Sequence, residues 1–231
     1  MLYTEETVRA NIRNRDGKRV FFLDKKDTLT PGARDFLQRE RIEVRSSEEA
    51  HISEYRLQNG AVLSRKPEHM THLHGDVLVP KTHPRIAFRG AMDTLEAELL
   101  WCQFSLGDPY SLPIGEILDL SRNLIRWEVL GEPANADTLC GLSEQELRSR
   151  SHQPQNYYGQ PHFMPMAADG HQILLLNRCR CAVRAAELAA AHAFTDADGN
   201  CTRPDILQIL NRMSSMIYLL MIQEKSQKTK E

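Results

Sequence analysis

From Pro84 onward the hydrophobic period settles at 3.6 residues and stays there, so the larger part of this chain can bury its apolar side chains only as α-helices. A first helix is expected over about Arg85 to Leu106, with Ile86, Met92, Leu95, Leu99 and Cys102 on or near one face. A second starts at Ser111 with Pro113 in its first turn and carries Ile114, Ile117, Leu118, Ile125 and Val129. Ser143 with Glu146 reads as a capping box and predicts a short helix over Glu144 to Ser149. Prolines, glycines and tyrosines between His152 and Gly170 read as a long loop. A third long helix runs from about Gln172 to Phe194. A fourth runs from near Thr202 and Pro204 to about Glu224, and Lys225 to Glu231 reads as a frayed polar tail. The fold class that follows is mainly α, a helical bundle.

Ahead of it, residues 1–60 read as a small α/β appendage, and 61–231 as the bundle domain. Val20 to Leu23 and Ile42 to Val44 are strand candidates. Thr30 and Pro31 open a helix that ends near Arg41, Ser46 to Glu54 is a polar patch, and Asn59-Gly60 is a turn.

The charge balance, 29 basic against 31 acidic residues, leaves no basic footprint for nucleic acid. No apolar run approaches the roughly 20 residues that span a bilayer, and Met1 to Arg19 lacks the apolar core of a signal peptide. A cytoplasmic protein without nucleic-acid or membrane partners is expected. Five irregularly spaced cysteines, without a CxxC pair, fit neither a disulfide framework nor a zinc ribbon.

The third long helix, QILLLNRCRCAVRAAELAAAHAF, carries the chemistry. At 100° per residue Asn177, Arg180, Arg184 and Glu187 fall within about a quarter of its circumference, and the rest of the wheel is apolar save Arg178 and His192. Such a helix is expected to be mostly buried, so these charges must meet partners or line a cleft. Two guanidinium forks one turn apart suit an oligophosphate. An internal ion-pair network is the alternative that spacing alone leaves open. In the fourth helix, Asn211 and Arg212 interrupt a strongly apolar run, either to satisfy a neighbouring backbone group or to read a ligand.

The run Asn177 to Glu187 resembles the arginine-rich helix of the ATP:cob(I)alamin adenosyltransferases, and Leu210-Asn211-Arg212-Met213-Ser214 resembles their Asn-Arg-Leu-Ser helix. GDVLVPKTHPRIAFRGAMDTLEAELL (Gly75 to Leu100) is similar to the family's stretch of a lysine, Pro-Arg and Gly-x-x-Asp-x-Leu. KPEHMTHL (Lys66 to Leu73), GLSEQELRSRSHQP (Gly141 to Pro154) and RPDILQILNRMSS (Arg203 to Ser215) resemble the ethanolamine-utilization branch, as does LTPGARDFLQRERI (Leu29 to Ile42).

The resemblance implies an adenosyltransferase-like bundle that moves the 5′-deoxyadenosyl group of ATP to the cobalt of reduced cobalamin, with Mg2+ accompanying ATP and triphosphate departing. Carried over by position, Arg180, Arg184 and Lys81 contact the triphosphate or hold the pocket, Glu187 and Asn211 help bind ATP, and Asp93 pairs with Arg180 across a subunit boundary. Thr71 matches the last threonine of the family's ATP loop. The resemblance also implies a homo-oligomer, a trimer rather than a dimer. It admits residence in a microcompartment and association with an ethanolamine ammonia-lyase. The chain departs from the family where Lys66 to Met70 replace the glycine-rich ATP loop, and at Ala185 and Ser215. It departs again at Ile125, which stands where a phenylalanine usually displaces the lower ligand of cobalt. It also lacks the Cys-Cys-x-x-Cys metal motif of some relatives in this branch.

His69, His72 and His74 are a candidate metal cluster. Cys179 and Cys181 read as small buried side chains. The Asp196 to Asn200 run fails as a calcium loop because Cys201 and Leu207 stand at its sixth and twelfth positions. Glu48 and His51 supply one Glu-x-x-His pair where a di-iron bundle needs two. A non-catalytic assembly or regulatory subunit is the competing function, and retention of Lys81, Asp93, Arg180, Arg184, Glu187 and Asn211 argues against it.

Overall fold

A computed structural model of the chain describes residues 2–15, 18–46 and 55–228. The polar patch with Glu48 and His51, apart from Ser46, lies outside the described residues. The chain divides into two compact units, Met1–Val79 and Pro80–Glu231.

In the first unit β1 (Leu2–Tyr3) leads into α1 (Glu5–Ala10), which Thr4 and Thr7 cap reciprocally. Strands β2 (Arg13–Arg15) and β3 (Lys18–Leu23) form an antiparallel pair, and β4 (Thr28–Leu29) lies parallel to β1. Thr30 caps α2 (Pro31–Arg39), which crosses over to β5 (Glu43–Ser46), parallel to β3. Val8, Phe21, Ala33, Phe36, Leu37 and Ile42 are the buried core between these helices and the sheet.

A second sheet orders β7 (Val62–Leu63), β6 (Tyr55–Leu57), β9 (Val77–Pro80) and β8 (Met70–His74). The Asn59-Gly60 turn joins β6 to β7: Gly60 takes φ +84°, and Asn59 Oδ1 accepts the Ala61 N–H at 3.1 Å. The sequence pattern revealed neither α1 nor the strands after Gly60, because two- to six-residue segments hold too few residues to display a period.

The second unit is the bundle: α3 (Pro84–Leu106), α4 (Ser111–Leu130), α7 (His171–Phe194) and α8 (Pro204–Lys228). A two-residue pair, β10 (Thr138–Leu139) with β11 (Leu142–Ser143), precedes α5 (Glu144–His152). The capping box at Ser143 and Glu146 forms as expected, and its hydrogen bonds hold the Glu146 carboxyl below its ordinary pKa. Phe88, Met92, Leu95 and Leu99 of α3 meet Ile173, Leu176, Val183 and Ala186 of α7, and Ile206, Leu210, Met213 and Ile217 of α8 complete the core. Gly131 ends α4 at φ +69°, where a side chain would be strained. Among the described residues no helix is long and apolar enough to cross a membrane.

Four expectations are corrected. The stretch from His152 to Gly170 is not all loop, since Pro154 starts the short helix α6 (Pro154–Tyr158) and Ala167–Asp169 is a 3-10 turn. The tail is helical through Lys228, because Lys225 meets the buried Asp169 at 2.5 Å and Lys228 meets Glu224 at 3.2 Å. On α4, Val129 is exposed and Glu128 is buried in its stead, since Arg85 and Arg89 of α3 reach its carboxylate at 2.5 and 2.7 Å. Leu174, Cys181 and Leu188 leave an exposed side on α7, which is covered by α3 and α8 but is not mostly buried; Cys179 alone of the two helix cysteines is interior.

Candidate active site

The polar stripe of α7 borders its buried face. Cys179, Val183 and Ala186 are buried, Asn177, Arg180 and Glu187 are half-buried, and Arg184 is exposed. Helical periodicity sets this order, since three- and four-residue steps keep the four polar groups on one side while the intervening apolar positions turn toward α3 and α8. Arg180 Nε donates to Asn177 Oδ1 at 3.4 Å, and its guanidinium lies 5.7 Å from the centroid of the Tyr218 ring. Neither Arg180 nor Arg184 has a carboxylate partner among the described residues. The internal ion-pair network that the spacing allowed is therefore not what these two residues make.

Glu187 faces Asn211 of α8, whose Nδ2 donates to Glu187 Oε1 at 3.4 Å. Asn211 also borders a groove of about 420 Å³ between α5 and α8, with Arg148, Ser151, His152 and Ser215 around it. Arg212 turns away from the stripe: it pairs with Glu144 and donates to the Ala136 carbonyl at 2.9 Å. Arg178, off the stripe, pairs with Glu98 of α3 at 2.7 Å. Arg178 and Arg212 are thus paired with carboxylates, and among the described residues Arg180 and Arg184 are not.

The remaining expected residues are distributed more widely. Asp93 is exposed on α3 and has no partner within the chain among the described residues. Lys81 lies three residues ahead of Pro84, the first residue of α3. Next to it His83 caps that helix, its Nδ1 accepting the Arg85 N–H at 3.1 Å; burial, then the charges of Arg85 and Arg89, keep its pKa below the usual value. Thr71 is the second residue of β8, in the other unit. His72 and His74 are exposed on that strand with His69 just before it, and His72 lies 5.7 Å from the Tyr55 ring. Among the described residues no three His, Cys, Asp or Glu side chains are gathered within reach of one metal ion.

Tyr218 escaped the sequence reading, although a signal was present. It follows Asn211 by seven residues, two helical turns, so it shares a face with it. α7 and α8 run antiparallel, and Glu187 facing Asn211 puts Arg180, seven residues earlier, opposite Tyr218.

The second unit is thus a helical bundle whose α7 carries two arginines, Arg180 and Arg184, without carboxylate partners among the described residues. The family model described as cobalamin adenosyltransferase matches residues 61–224. The corrinoid adenosyltransferase EutT of Escherichia coli strain K12 is 32% identical to this chain, covering 95% of it and 90% of the relative. The EutT of Salmonella typhimurium strain LT2 is 33% identical with the same coverage. Solved structures of variants of a PduO-type ATP:corrinoid adenosyltransferase from Lactobacillus reuteri are also similar. One complexed with cobalamin and ATP is 20% identical, covers 66% of this chain and 83% of that one, and has a TM-score of 0.47. Another, complexed with ATP, is 17% identical with coverages of 65% and 86% and a TM-score of 0.45. The chain belongs to the cobalamin adenosyltransferase family.

Proposed function

We propose that this protein is an ATP:cob(I)alamin adenosyltransferase of the ethanolamine-utilization type, which transfers the 5′-deoxyadenosyl group of ATP to the cobalt of reduced cobalamin and releases the phosphate chain. Reduced cobalt is the nucleophile and ribose C5′ the centre attacked, so the substrate supplies the hard step. The protein has to hold C5′ toward cobalt and stabilise the charge of the departing triphosphate.

The observation that carries this reading is the pair Arg180 and Arg184, one turn apart on α7 and without a carboxylate partner among the described residues, while nearby Arg178 and Arg212 are paired. Both forks are available to phosphate oxygens, with Arg184 the more exposed. In the proposed arrangement Lys81 adds a third cation, Glu187 and Asn211 bind ATP, Thr71 is an ATP-binding residue by its match to the family's loop, and Mg2+ accompanies ATP. Asp93 pairs with Arg180 of a second copy. The proposed working unit is residues 61–231, with 1–60 as an appendage; the family match beginning at residue 61 supports that division.

The proposed assembly is a homo-oligomer, a trimer by family resemblance. Exposed Leu100, Trp101 and Phe104 on α3 and Leu188 on α7 support self-association, since large apolar side chains left open on one protomer favour contact with another. The proposed location is the cytoplasm, including the lumen of a bacterial microcompartment, with ethanolamine ammonia-lyase as the consumer of product.

The test is an anaerobic assay with reduced cobalamin and Mg-ATP, read by the visible spectrum of the cobalt–carbon product. Formation of adenosylcobalamin supports the reading. Its absence with correctly folded protein would favour a non-catalytic bundle.

A further inference from the structure

We propose that Tyr218 is a positioning residue for Arg180, holding the guanidinium in place from within its own protomer through its ring. The inference rests on the reading of Arg180 as a cation of the triphosphate site and assigns a role to a residue outside that set. On its own helix Arg180 meets only the Asn177 amide, at a long 3.4 Å. A side chain with five N–H donors is not oriented by one such contact. Among the described residues, no hydrogen bond or ion pair reaches Arg180 from another element, and the Tyr218 ring, at 5.7 Å, is the ring contact that does.

That ring is itself held. Its hydroxyl accepts the Phe163 N–H at 3.3 Å and hydrogen-bonds His162 Nδ1 at 3.0 Å. The His162 ring stacks on it within 10° of parallel, and the Phe163 ring within 24°. Tyr218 cannot tilt without breaking these contacts, so the segment before α7 and the face of α8 together set where Arg180 points. Packing alone does not require a tyrosine here: Ile217 and Leu219 are fully buried, while Tyr218 is half-buried on the stripe side.

The electrostatic reason for a ring is direct. A ring engages the guanidinium without occupying its N–H groups, which stay available to an incoming anion and to the Asp93 carboxylate proposed from a second copy. The quadrupole of an aromatic face attracts the cation while leaving its formal charge intact for a ligand.

The experiment uses the full chain with Tyr218→Phe, Tyr218→Leu and Arg180→Ala, alone and with Tyr218→Leu combined with Arg180→Ala. KM for ATP, KM for reduced cobalamin and kcat are measured, and circular dichroism with thermal unfolding checks the fold. Tyr218→Leu is expected to raise KM for ATP about two- to thirtyfold, the range of a cation–π contact, with KM for cobalamin little changed. Tyr218→Phe, which keeps the ring but loses the hydroxyl contacts that hold it, is expected to fall between wild type and Tyr218→Leu. In the Arg180→Ala background Tyr218→Leu should add nothing.

Equal rises in both KM values, additive effects in the double variant, or a Tyr218→Phe as impaired as Tyr218→Leu would overturn the proposal. If Tyr218→Leu does not fold, Tyr218→Met at similar volume takes its place with the same expectations. Wild-type turnover tests the transferase reading separately: no turnover overturns that reading and this one with it, whereas turnover with additive variants overturns this one alone.

Discussion

Asn211 of α8 reaches across to Glu187 of α7 with a 3.4 Å hydrogen bond, in the register at which the two antiparallel helices pack their cores. In that register the apolar positions of both helices form the core, Arg180 lies beside Tyr218, and neither Arg180 nor Arg184 meets a carboxylate among the described residues.

Arg184→Ala is expected to slow adenosylcobalamin formation by roughly ten- to a hundredfold, since losing a charge-assisted contact costs about 1.5–3 kcal/mol. Thermal stability should hardly move, because Arg184 is exposed and unpaired among the described residues. Turnover at the wild-type rate would remove Arg184 from the site.

Glu128→Ala addresses the fold. The carboxylate is fully buried and meets Arg85 and Arg89, so its loss leaves two partly buried guanidiniums facing an empty site. Breaking such an arrangement from one side costs about 3–5 kcal/mol. Chemical denaturation should show a lower midpoint with an unchanged slope, and a loss below about 1 kcal/mol would mean the cluster contributes as little as a surface pair.

Asp169 links stability to pH. Its hydrogen bond from Lys225, and then that from the Met166 N–H, hold its carboxyl below the ordinary value of 3.8. The folded state therefore binds this proton more weakly than the unfolded state does. The contribution is complete above the unfolded value and disappears as pH falls through the lower, folded one. Asp169→Asn should melt earlier than wild type at neutral pH, and the two should converge in strong acid. A gap that persisted below the folded pKa would exclude this linkage.

Chelator-treated protein supplied with Mg-ATP is expected to keep its activity, and His72→Ala should behave as wild type, because His69, His72 and His74 do not form a gathered donor set among the described residues. Recovery that required iron or zinc would instead assign those histidines a metal.

The long helices were legible because each presents three or more turns of one repeating pattern, and the ends were legible where a side chain caps them, as Ser143 and Thr30 do. The stripe of α7 was legible for the same reason, since angular position on a helix follows from residue number alone. What residue number does not contain is which partner arrives at each position. Val129 was expected on the apolar face, yet it is Glu128 that is buried, drawn in by two arginines some 40 residues earlier in the chain. Lys225 and Lys228 read as a loose tail until buried carboxylates at Asp169 and Glu224 drew them in.

Sequence by itself determined the helical class, the cationic ridge and the family likeness, all of which depend on order along the chain. Tertiary structure alone decided that Arg212 and Arg178 are spent on Glu144 and Glu98 while Arg180 and Arg184 are not, and that Tyr218 lies under Arg180. The reason is physical: pairing falls off steeply with distance, and distances between separate helices are set by how their cores pack.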